Sequence, residues 1–452
     1  MEEKRSSFTG KLGFVLAAAG SAVGLGNIWR FPYLAAKYGG GIFLLVYILL
    51  SVTFGFSLMV AEIAIGRKTK LSPIGAYRTL DKRFAFVGVL GAIVPALILP
   101  YYSVIGGWVL KYAVSFLCGE GANMATDSYF GGFISGVGAP LLWFAVFIGA
   151  TALIVLFGVQ KGIEKVSKVM MPALIVLMLF IVVYTLCTTD GAWAGVVYYI
   201  KPDFSHFSVM TVVAAMGQLF YSMSLAMGIM ITFGSYMKKD ISIEKSVHQI
   251  EIFDTGIAFL AGMMIVPACY AFSGGDPAAL GQGAGLMFGV LPKIFQNMPG
   301  GAVVGTVFFL MVLLAALTSS ISLMETVVST VQDKWGLERR LSCLAVLGVS
   351  VLLGIPSCLG YSSWSGIKLL GMQFLDFFDF ISNSVLMPIV AILTCIFIGF
   401  VVGTDFIIGE VESSGQFKAK KMFVVMIKWI CPIGLALILM TGLLSFFGVM
   451  SI

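Results

Sequence analysis

Apolar residues in this chain come in long, nearly unbroken runs, each about the 20 residues that a helix needs to cross a bilayer. Eleven such runs stand at 11–37, 41–66, 86–117, 140–158, 166–187, 209–236, 247–273, 302–331, 340–357, 371–402 and 423–449. The loops between them are short and polar or glycine-rich. The pattern predicts an all-α membrane protein with eleven transmembrane helices in a single domain over 1–452.

Composition points the same way. The 452 residues are 59% hydrophobic and only 11% charged, with mean hydropathy +1.01. A soluble domain carries roughly 25% charged residues. Two histidines, His206 and His248, leave little room for metal-based or histidine-based catalysis. The seven cysteines are scattered, mostly in apolar runs and without a Cys-x-x-Cys pair, so they read as buried thiols. No nucleophile–base pair stands out, and an enzyme is not expected. The start, Met-Glu-Glu-Lys-Arg, leads into a span containing an arginine, which is not a cleavable signal peptide.

Lysine and arginine orient the spans. With the N-terminus inside, 22 of the 28 basic residues fall on the cytoplasmic side, and all inner loops share the bias. Arg30, Lys37, Lys111, Lys201, Lys293 and Lys368 make up the rest. The net charge of +6 is therefore a topology signal, and nucleic acid is not an expected partner. An odd number of spans puts the C-terminus outside. The expected location is a bacterial plasma (inner) membrane, with the lipid bilayer as surroundings and no obligate protein partner.

Two spans break the rules of a membrane helix. The first contains Gly20-Ser-Ala-Val-Gly-Leu-Gly-Asn-Ile-Trp-Arg-Phe-Pro32. Gly24, Gly26 and Pro32 weaken a helix at membrane depth. Lipid cannot satisfy backbone freed in this way, so a cavity, ion or ligand must. A glycine seam for close helix packing is the plainer alternative, and Gly20 and Gly24 fit its spacing. That seam does not call for Asn27 and Arg30 beside it. The sixth span clusters Gln218, Tyr221, Ser222 and Ser224. Broken spans five apart point to a five-plus-five inverted repeat, 11–187 and 209–402, with 423–449 as an extra helix.

Carboxylates within spans are costly and therefore informative. Glu62 reads as a scaffold group that holds unwound backbone, and Asp254 as an ion ligand. Asp376 and Asp379 start the tenth span near the interface, where solvated acids are ordinary. Glu325 has no evident partner. Thr318, Ser319 and Ser320 either bond their own helix or serve a hard cation.

Together these residues resemble the neurotransmitter:sodium symporter family, in particular its bacterial amino-acid transporters. The resemblance covers the first ten spans. It is carried by Ala17-Ala-Ala-Gly-Ser-Ala-Val-Gly-Leu-Gly-Asn-Ile-Trp-Arg-Phe-Pro-Tyr33 with Gly39-Gly-Gly41, by Gly217-Gln-Leu-Phe-Tyr-Ser-Met-Ser-Leu225 and by Leu317-Thr-Ser-Ser-Ile321. It implies alternating access with unwound first and sixth helices, two sodium ions and no organic cofactor. One sodium would lie on Ala22, Asn27, Ser222 and Asp254 and touch the substrate carboxylate. The other would lie on Gly20, Val23, Ala315, Thr318 and Ser319. The carboxylate would meet Tyr102 and the amides of Leu25 and Gly26. Ser21, Ile98, Tyr221, Ser224, Met227, Ser319 and Leu323 would line the side-chain pocket. Arg30 with Asp379 would gate the outside, and Arg5 with Asp333 the inside. Gly162 and Pro172 would mark where the fifth helix unwinds.

Several departures refine that expectation. Asp254 stands where many relatives have Asn, and its fixed charge would make chloride unnecessary. Met227 replaces Phe and Ala226 replaces Gly of some relatives. The pocket offers no charge to a substrate side chain, and positions 20–26 hold no acid that would replace a substrate carboxylate. A cationic or acidic substrate would leave an unpaired buried charge. The expected substrate is a neutral hydrophobic or aromatic L-amino acid. A symporter for another carboxylated solute, or an amino-acid sensor on the same scaffold, is the alternative.

Overall fold

The structure, a computed structural model, describes residues 6–275 and 283–449. Among those residues extended pairing is limited to two isolated bridges, Gly40–Pro202 and Leu369–Met372. Among the described residues nine helices have the length and apolarity to cross a membrane: α2 (Gly41–Thr69), α3 (Lys82–Leu117), α4 (Gly138–Leu156), α5 (Val159–Thr188), α7 (Ile243–Phe272), α8 (Gly301–Trp335), α9 (Arg339–Leu359), α10 (Phe374–Val402) and α11 (Lys420–Phe446). A tenth crossing, α1, is a bent pair, α1a (Lys11–Ala22) and α1b (Gly26–Lys37), meeting at 55°. The remaining one, α6, is split into α6a (Val209–Ser222) and α6b (Ile229–Tyr236), each too short to span alone.

Helix ends run past the apolar runs. α5 begins at Val159 because its lysine-bearing first turns continue the helix beyond the hydrophobic stretch. Without a hydrophobic drive between helices in lipid, close approach and dispersion hold such bundles. At the α2–α6b crossing, a Cβ on Gly234 would lie 2.9 Å from Ile63 Cα, and one on Gly66 2.7 Å from the Ile231 carbonyl carbon. Gly107 plays the same part between α3 and α4, where a Cβ would sit 2.7 Å from the Phe144 nitrogen. α1a is buried from Gly13 to Ala22 and packs against α5, α7 and α8. A buried ion pair, Arg67–Glu410 at 2.7 Å, ties the end of α2 to the helix Thr404–Glu412.

Candidate substrate and ion site

Both broken helices cross at the centre. In α1 the helix stops at Val23, which is extended (φ −78°, ψ 102°), and resumes as a π turn from Gly26. Asn27 turns back on the break: its Oδ1 accepts from the Gly24 amide at 3.1 Å. In α6 the break is longer. Ser224, Ala226 and Gly228 all have positive φ, at 53°, 58° and 67°. Side chains from elsewhere hold this segment. The Ala226 amide donates to Glu62 Oε1 at 2.7 Å, and Ser224 Oγ donates to the Ser21 carbonyl at 3.0 Å. Gln218 Nε2 donates to the Gly26 carbonyl at 3.0 Å, so α6a also ties down α1b.

Asp254 sits beside the α1 break, fully buried. Its Oδ1 accepts from Asn27 Nδ2 at 2.8 Å and from Ser222 Oγ at 2.6 Å. Its Oδ2 accepts from Tyr47 OH at 3.2 Å. Among the described residues no ion pair involves it. A buried carboxylate without a cationic partner costs several kcal/mol, and the Ser222 and Tyr47 hydroxyls beside it are oxygens of the kind a hard cation takes. On the far side of α1a, Ser319 Oγ lies 3.1 Å from the Val23 carbonyl and 3.4 Å from that of Gly20. Thr318 Oγ1 lies 3.0 Å from the Ala315 carbonyl. A Cβ on Gly20 would be 3.2 Å from Thr318 Cβ, so α1a and α8 touch here.

Between these clusters lies a small cavity. All ten residues assigned above to the substrate line it, joined by Ala22, Gly24, Asn27, Ser222 and Ile229. The lining contains no lysine, arginine, aspartate or glutamate. Tyr102 OH accepts from the Leu25 amide at 3.4 Å. Leu25, Tyr102 and Tyr221 also floor a larger vestibule, which carries Arg30, Asp376 and Asp379 on its walls. Arg30 is poised over the Tyr221 ring at 5.7 Å, while Asp379 accepts from Asn383 Nδ2 at 2.6 Å. Among the described residues no ion pair joins Arg30 to Asp379, and both line the vestibule.

The opposite side is plugged. Phe8 is buried edge-on against Phe14, Phe233 and Tyr236, with centroids 5.7, 5.8 and 6.1 Å away, and its amide donates to the Tyr236 carbonyl at 3.1 Å. Thr9 bonds Glu164 of α5 through its amide at 2.9 Å and through its hydroxyl. Asp333 accepts from the Ser72 amide at 2.7 Å; Arg5, its expected partner, lies outside the described residues. α5 runs on through Gly162, which lies in its opening π turn, and through Pro172. Glu325 has partners that sequence did not suggest: Arg339 Nη2 at 2.5 Å and Tyr236 OH at 2.8 Å. Tyr47 was likewise missed. Its one signal was a lone hydroxyl in an otherwise apolar stretch, Gly41–Leu50.

Half-helices that end at a central pocket, with a vestibule on one side and the Phe8 plug on the other, are the arrangement of a membrane transporter. Comparison with known proteins gives the particular kind. The model of the sodium:neurotransmitter symporter family matches residues 5–126 and 131–450. The uncharacterized sodium-dependent transporter YhdH of Bacillus subtilis is 36% identical over 456 residues, covering 98% of this chain and 100% of that one. An uncharacterized sodium-dependent transporter of Methanocaldococcus jannaschii is 33% identical over 435 residues, covering 92% and 86%. The crystal structure of MhsT in complex with L-phenylalanine superposes with a TM-score of 0.86 at 35% identity, over 97% of this chain and 100% of that one. The chain belongs to the sodium:neurotransmitter symporter family. It is a multi-pass, sodium-dependent transporter and not an enzyme.

Proposed function

We propose that this transporter takes up neutral hydrophobic or aromatic L-amino acids with two sodium ions, independently of chloride, across a bacterial plasma membrane with its N-terminus cytoplasmic. The observation that carries the reading is the cavity's composition: hydroxyls, Asn27 and freed backbone on one part, apolar Ile98, Met227, Ile229 and Leu323 on another, and no charged side chain, next to the buried carboxylate of Asp254. A zwitterion's two charges suit the first part and an uncharged side chain the second. The L-phenylalanine bound to MhsT supports an aromatic amino acid as a candidate.

In this reading the first sodium binds Asp254, Asn27, Ser222 and the Ala22 carbonyl and contacts the substrate carboxylate. Asp254 supplies the fixed negative charge that an anion would otherwise provide. The second sodium binds the Gly20, Val23 and Ala315 carbonyls with Thr318 and Ser319 and holds α1a against α8. Both ions and substrate enter from the vestibule. Arg30 and Asp379 then close over Tyr102 and Tyr221, and α1a releases the Phe8 plug on the cytoplasmic side. Coupling requires that sodium and substrate favour one state over the other, and the shared carboxylate contact provides that difference for the first ion.

Uptake of radiolabelled amino acids into proteoliposomes tests this. Concentrative uptake of phenylalanine or leucine is expected with an inward sodium gradient. It should survive replacement of chloride by gluconate and vanish with potassium in place of sodium or in Asp254→Ala. Saturable binding without accumulation under any gradient would sink the transport of amino acids and favour a sensor.

A further inference from the structure

α7 carries a second buried acid that the transport reading does not use. Glu251 lies one helical turn from Asp254, its side chain 5% exposed. Its Oε2 is 3.0 Å from His248 Nδ1. Its Oε1, also buried, has no hydrogen-bond partner among the described residues. The His248 ring stacks on Phe56 of α2 at 4.7 Å, and Phe56 packs on Phe417 in the α10–α11 connection at 6.4 Å. The His248 side chain is 47% exposed. Three titratable groups at i, i+3 and i+6 of one helix therefore pass from a half-exposed histidine to a buried acid to the fully buried Asp254.

Among the described residues no lysine or arginine forms an ion pair with His248 or Glu251. Glu244 and Asp254, both acids of α7, are the titratable groups bearing on this pair. From α2 it meets the Phe56 ring. Phe417 of the connection packs on that ring, and the Lys418 and Ala419 amides are turned to Glu244 at 3.1 and 3.2 Å. A buried carboxylate with an unsatisfied oxygen is costly when ionised. A second carboxylate one turn away adds like-charge repulsion. A proton on the pair relieves both terms, and a cation at Asp254 relieves the repulsion.

We propose that His248 and Glu251 form a proton-binding site whose occupancy opposes sodium at Asp254. Sodium arriving at Asp254 favours the ionised pair, and the displaced proton leaves to water through His248. By reciprocity, protons held on the pair weaken sodium binding. The sign follows: sodium affinity is greatest at high pH and falls as pH falls. The inference rests on Asp254 as a sodium ligand, as proposed above.

Equilibrium binding of radioactive sodium to the purified full-length protein, from about pH 8.5 to 5.5, tests it. Wild type is expected to lose on the order of tenfold in sodium affinity across that range, within the usual span of coupled sites. Glu251→Gln should bind sodium at the high end and change less than about threefold over the same range. His248→Gln, at a half-exposed position that tolerates change, should behave alike and should lose the proton release that a dye reports when sodium is added to wild type in weak buffer. An undiminished pH slope in both variants would place the proton elsewhere and overturn the proposal. If Asp254→Ala binds sodium as tightly as wild type, the ion-site assignment itself has failed, and this inference falls with it.

Discussion

The two breaks at the centre reach similar openings by opposite means. The α1 break is made with glycine, yet Gly20, Gly24 and Gly26 all avoid positive φ. Their use is room: a Cβ on Gly24 would stand 2.8 Å from Ser319 Oγ, and one on Gly26 2.8 Å from the Tyr221 ring. The α6 break has the unusual backbone instead, and two of its three positive-φ residues, Ser224 and Ala226, are not glycine. A left-handed L-residue costs roughly 1–2 kcal/mol, so this segment persists only because Glu62 and the Ser21 carbonyl hold it. One break is shaped by what it leaves out and the other by what pulls on it. Glycine alone is therefore a poor guide to where a membrane helix unwinds.

Filling the space of the first break should have the largest effect. In Gly24→Ala, Ser319 Oγ yields only by leaving the carbonyls of Gly20, Ser21 and Val23. Overpacking of about 1–3 kcal/mol corresponds to a loss of roughly 10–100-fold in apparent substrate affinity. Gly217→Ala is the control, since nothing lies within 4 Å of its added Cβ, and uptake should not change. Next comes release of the second break. Glu62→Ala orphans the buried Ala226 amide, a penalty of about 1–3 kcal/mol, visible as a lower thermal midpoint in detergent. Glu62→Gln keeps an acceptor and should recover most of it. Equal losses in both variants would mean that Glu62 acts through its charge and not as a tether.

Sequence made the α1 break legible because its glycines, Asn27 and Arg30 are adjacent, and it pointed to α6 through clustered hydroxyls. It also placed the nine long helices of the described residues and both broken ones. It did not show how the breaks are held, because every tether is a long-range contact: Glu62 to Ala226, Gln218 to Gly26, Ser224 to Ser21. Glu325 looked partnerless for the same reason, since Tyr236 and Arg339 reach it from α6b and α9. Tyr47 was hidden inside a run that reads as lipid-facing, although its hydroxyl bonds Asp254. Its removal in Tyr47→Phe should cost one hydrogen bond, about 0.5–1.5 kcal/mol, or up to roughly tenfold in sodium affinity by titration of sodium-dependent substrate binding. An unchanged affinity would show that the bond is made only without the ion.

The smallest expected effect separates the two kinds of break most cleanly. Ala226 holds φ 58° with a Cβ that gains nothing from that conformation. In Ala226→Gly the left-handed strain of roughly 1–2 kcal/mol is relieved, while the unfolded chain gains freedom worth about 0.4–1 kcal/mol. The balance favours the glycine variant by up to about 1 kcal/mol, seen as a slightly raised thermal midpoint. The gain should be larger in the Glu62→Ala background, because the tether no longer holds the strained form and the glycine removes the need for it. Two neighbouring changes that act on one backbone segment should therefore be non-additive. Strictly additive midpoints would mean that Glu62 does not hold the α6 break, and the contrast between a spaced break and a tethered one would be lost.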